Sequence, residues 1–163
     1  MKKRLIISLV LLLGIFLQAC SSAEKSDPPV TEETHTEVAH GDIREETSSA
    51  TSKPSFLQDK PEDMQLIYLA VAQHQELLEN MPCYCGCGDS VGHKDNYDCF
   101  IHENKEDGSI VWDDHGTKCT VCLEIAAKAV VDYNDGKTMK EIRNEIDQAY
   151  EEGYANPTDT KEI

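Results

Sequence analysis

Apolar and polar positions divide this chain into distinct regimes. Leu5 to Leu17 is an almost unbroken apolar run behind the cationic start Lys2, Lys3 and Arg4. Residues 21 to about 60 are rich in Ser, Thr, Glu and Pro, a composition that buries too little apolar surface to offset ordering entropy. From Pro61 the pattern changes. Leu66, Ile67, Ala70, Val71, His74, Leu77, Leu78 and Met81 recur at steps of three and four, which predicts one amphipathic helix ended by Pro82. His74 falls on its apolar stripe and reads as a packed residue.

Residues 83 to 118 show no helical period and are broken by Gly86, Gly88, Gly92 and Gly108; Ile110-Val111-Trp112 is their one candidate strand. A second helix is predicted from Thr117–Cys119 to about Tyr133, with Val121, Cys122, Ile125, Ala126, Ala129, Val130 and Tyr133 on its apolar face. Thr138 to Glu141 forms a capping box opening a third, with Ile142, Ile146, Ala149 and Tyr150 inward. The expected fold is therefore mainly α: two to three helices around an irregular Cys-rich loop region, preceded by a disordered tether. The expected boundaries are a leader over 1–19, the tether over 20–60, the domain over 61–155 and a frayed end over 156–163.

The leader changes the compartment. A basic start, a short apolar run and small residues before a cut describe a secretory signal, too short to span a bilayer. Leu17-Gln18-Ala19-Cys20 resembles the lipobox of bacterial lipoproteins, in which that thiol is acylated. The expectation is a protein anchored to the cell membrane by lipid on Cys20 and facing outside the cytoplasm. Cysteine arithmetic agrees: of seven thiols, Cys20 goes to lipid and six remain between residues 83 and 122. A net charge of −16, more negative still once the leader is lost, excludes nucleic acid as a partner.

The candidate chemistry lies in those six thiols. Cys83, Cys85 and Cys87 alternate, so an extended backbone would line three sulfurs along one edge. Adjacent members would then stand about 6.6 Å apart, near the limit for a disulfide, which favours a shared metal. Cys119 and Cys122 open the second helix, where its dipole favours thiolates. With Cys99, His93 and His115 they complete the candidate ligand set. Crowded thiolates suit copper(I), and zinc is the alternative. His35 and His40 in the tether read as inert.

Pro82-Cys83-Tyr84-Cys85-Gly86-Cys87-Gly88, Gly92-His93, Cys99-Phe100, His115-Gly116 and Cys119-x-x-Cys122 resemble the PCYCGC-motif family of lipoproteins from Gram-positive bacteria. The resemblance covers most of residues 61 to 155 and implies a membrane-tethered, outward-facing domain that handles a metal. His74 and His102 fall outside the matched residues and are left out of the ligand set. Four readings stay open: copper(I) handling as store, scavenger or donor to a membrane oxidase or metal transporter; a small interaction domain with structural zinc; a disulfide-stapled module; and a thiol–disulfide oxidoreductase. No triad, phosphate loop or carboxylate pair points to an enzyme, and no βαβ pattern precedes the Cys119-x-x-Cys122 pair.

Overall fold

A computed structural model describes residues 35–37, 41–161 and 163. The expected leader, Cys20 and His40 lie outside the described residues. Among the described residues, five α-helices and four strands belong to the compact unit Glu32–Ile163. Strands β1 (His35–Glu37), β2 (Ile43–Thr47), β3 (Ile101–Asn104) and β4 (Ile110–Asp113) form one antiparallel sheet in the order β1-β2-β4-β3. The expectation of a mainly α domain is thereby overturned: the fold is mixed α and β.

The sheet also replaces the expected tether over its described residues, 35–37 and 41–60. β2 pairs along β4 from Arg44 opposite Asp113 to Thr47 opposite Ile110, and its Glu45 is fully buried. That carboxylate accepts hydrogen bonds from the Ser55 hydroxyl at 2.9 Å and the Phe56 amide at 3.4 Å, at the start of the 3-10 turn Ser55–Leu57. A buried carboxylate on backbone N–H groups satisfies both partners. Thr47 accepts from Trp112 Nε1 at 2.7 Å, so the segment seats the central aromatic residue of the core.

The helices follow the predicted order with one break and one addition. The first is split at His74 (φ −127°, ψ 40°) into α1 (Glu62–Gln73) and α2 (Gln75–Glu79). His74 Nδ1 bonds the Ala70 carbonyl at 2.7 Å and its ring meets Tyr133 edge-on. A short α3 (Cys87–Val91) lies inside the loop read as irregular. α4 (Thr120–Asn134) and α5 (Met139–Ala149) match the two later periodic stretches, and α5 opens with the predicted capping box on Thr138 and Glu141. Among the described residues no helix is long and apolar enough to cross a membrane.

The core is continuous between sheet and helices. Tyr68 stands edge-on to Phe100 at 4.9 Å and donates its hydroxyl to the Asp113 carbonyl at 3.0 Å. The end expected to fray from Asn156 is instead bonded onto the cysteine loop: Ala155 N–H donates to the Tyr84 carbonyl and Thr158 N–H to the Cys83 carbonyl, each at 3.1 Å.

Candidate metal centre

The cysteine loop is held from three sides. Asn96 N–H donates to the Met81 carbonyl at 2.8 Å, and the fully buried Asn96 side chain donates to the Cys122 carbonyl at 3.2 Å. This ties the loop to the first turn of α4. From the C-terminal side, the Thr158 hydroxyl accepts from the Cys83 amide at 2.9 Å. Gly86 then turns the chain at φ +85°, a left-handed conformation that suits glycine, and launches α3 with Cys87 as its first residue.

That turn corrects the expected extended edge. Cys83 and Cys85 do not stand apart as in a strand; their sulfurs approach to 3.2 Å. Cys122 reaches the same spot from α4, 3.4 Å from Cys83 and 3.6 Å from Cys85. Cys87 pairs instead with Cys99, at 3.7 Å, on the side of the cluster where His93 and His115 meet edge-on at 4.7 Å between ring centroids.

Seven of the eight candidate ligands fall into groups whose donor atoms all lie within 4.8 Å of one another: Cys83 with Cys85 and Cys87, Cys83 with Cys99 and Cys122, Cys85 with His115 and Cys122, and Cys87 with His93, Cys99 and His115. Cys119, the N-cap of α4, lies beside this cluster, near enough to Cys85 to lower that thiol's proton affinity. Cys83, Cys87, Cys99 and Cys122 are buried, whereas Cys85 and Cys119 are half-buried. His102 is elsewhere, exposed on β3 with Nε2 3.1 Å from Arg44 Nη1. His74 is equally outside, and of His35 only the backbone, in β1, is described.

Electrostatics splits the thiols. Hydrogen bonds from Cys119, Cys122 and Cys83 hold Cys85 well below the ordinary thiol range, and those from Cys122, Cys83 and Cys87 do the same for Cys99. The protons stay on their neighbours, so Cys122, bonded to Cys119, Cys83 and Cys85, is pushed up. Two thiolates about 4 Å apart repel by roughly 4 kcal/mol at an effective dielectric of about 20. A cation among them removes that repulsion, so the cluster can hold a metal ion.

Two contributors have no signature in the sequence. Asp42, just before β2, is buried and accepts from Lys118 Nζ at 3.0 Å while its other oxygen lies 3.2 Å from His115 Nδ1. With the Cys85 thiolate in front and Asp42 behind, His115 is raised to about 9 against the effect of burial. Asn96 is the second, a lone polar residue whose role depends on two distant carbonyls.

The family model described as protein of unknown function with PCYCGC motif matches residues 9–162, and the chain belongs to that family. No curated protein and no solved structure matches it.

Proposed function

We propose that this PCYCGC-motif protein is a lipoprotein, anchored outside the cytoplasm through Cys20, that handles copper(I) on Cys83, Cys85 and Cys122 with Cys119 at the rim. One observation carries the reading: sulfurs from two segments far apart in sequence meet at 3.2 to 3.6 Å without being joined to one another. Soft thiolates select copper(I), and bridging sulfur lets few ligands serve an ion that must later leave. The half-exposed Cys85 and Cys119 give an acceptor a point of attack, while Cys83 and Cys122 retain the ion from inside. Store, scavenger and donor to a membrane oxidase or metal transporter all use this geometry, and the membrane tether favours a donor.

Anaerobic copper(I) titration against a competing chelator tests it. Wild-type protein should bind copper(I) with a sulfur-to-copper charge-transfer band that Cys85→Ser and Cys122→Ser diminish. Copper held no more tightly by wild type than by a variant carrying both Cys85→Ser and Cys122→Ser removes the reading.

A further inference from the structure

The other half of the cluster has a different composition. Cys87, His93, Cys99 and His115 offer two sulfurs and two imidazoles, and all four donor atoms lie within 4.8 Å of one another. Each comes from a different local feature: the first residue of α3, the residue after its Gly92 cap, the 3-10 turn Tyr97–Cys99 and the 3-10 turn Asp114–Lys118. Their spacing follows no short finger pattern, because the tertiary fold gathers them.

The geometry points to a second metal site, adjoining the first, in which Cys87, His93, Cys99 and His115 hold one zinc ion in a closed tetrahedral shell. Tetrahedral zinc with bonds of about 2.3 Å to sulfur sets its two sulfurs about 3.8 Å apart. Cys87 and Cys99 stand at 3.7 Å. His93 Nδ1 is buried and has no hydrogen-bond partner, an unsatisfied state that coordination to an ion would relieve. His115 is oriented from behind, since Asp42 engages Nδ1 and leaves Nε2 as its ligand atom. Asp42 is in turn held by Lys118. A carboxylate behind a metal-bound imidazole is the usual outer support of zinc.

This assignment goes beyond copper handling and does not depend on it. The shortest sulfur contacts divide accordingly: Cys83, Cys85 and Cys122 lie 3.2 to 3.6 Å apart and Cys87 lies 3.7 Å from Cys99. The two halves adjoin, since Cys83 lies within 4.8 Å of Cys87 and Cys99, and His115 within 4.8 Å of Cys85. One half is all sulfur and reaches the surface at Cys85; the other is half nitrogen, with three of its four ligands buried. The first suits exchange of a soft monovalent ion, the second permanent retention of a divalent one.

The test is zinc-edge X-ray absorption on full-length wild-type protein loaded with one equivalent of zinc, with cobalt(II) as optical probe on variants. The expected shell is two sulfurs at about 2.3 Å and two nitrogens at about 2.0 Å. Cobalt(II) should show tetrahedral bands that survive Cys85→Ser, while Cys99→Ser and His93→Ala weaken binding by more than the roughly 10–100-fold typical of an outer partner. A shell of four sulfurs, or cobalt bands lost in Cys85→Ser and kept in His93→Ala, overturns the assignment. The absorption measurement needs no variant, so misfolding of a mutant does not obscure it. Copper(I) titration of the same preparation separates the two claims, because copper binding with an all-sulfur zinc shell defeats this site alone.

Discussion

At the residue scale the account turns on what stands behind each ligand. Asp42 fixes His115 from a distance of 3.2 Å, so Asp42→Asn should lower zinc or cobalt(II) affinity about 10–100-fold while leaving copper(I) binding unchanged. Competition with a chromophoric chelator measures both; equal loss of both metals would mean that Asp42 supports the fold and not the ligand. Gly116, next to His115, is a second control point. A Cβ there would stand 2.5 Å from Phe100 Cε1 and 2.9 Å from the Tyr68 hydroxyl. Gly116→Ala should therefore cost about 1–3 kcal/mol by overpacking, read from chemical denaturation. The thiols and the two imidazoles were legible in the sequence as metal-ligating types crowded into forty residues. Their division was not, because nothing local distinguishes Cys87 from Cys85 until Gly86 turns the chain between them.

At the scale of elements, legibility followed the periodic pattern. α4 and α5 carry a clear apolar stripe with a capping residue or box, and both form where the stripe predicts. β2 carries none. Its sequence Ile43-Arg44-Glu45-Glu46-Thr47 hides the alternation because the inward residue is a carboxylate, buried through its bonds to Ser55 and Phe56. The break at His74 is equally silent, since the apolar stripe runs through it without interruption. The strand supplies a direct test. A chain beginning at residue 61 lacks β2, one of the two strands that flank β4, and the Thr47 acceptor of Trp112, so it should lose cooperative unfolding, whereas one beginning at residue 32 should keep it. Near-ultraviolet circular dichroism on heating reads the difference, and a cooperative transition in the shorter chain would show that β2 is dispensable.

For the molecule as a whole, the cysteine loop is a junction. The sheet brings Asp42 and His115, α4 brings Cys122, and the C-terminal segment bonds over the loop through Tyr84, Cys83 and Thr158. A cavity of about 560 Å³ lies between that segment and the loop, walled by Gly86, Gly88, His93, Asn156 and Thr158. Truncation after Gly153 should expose Cys83 and Cys87 and speed their alkylation severalfold in metal-free protein, with α5 still folded. Unchanged alkylation rates would mean that the segment does not cover the cluster. The most direct measurement is native and denaturing intact mass of full-length protein purified without oxygen. The account predicts bound metal in the native spectrum and all six internal cysteines reduced in the denatured one. A metal-free protein lighter by six hydrogens, its thiols consumed in three disulfides, would contradict it.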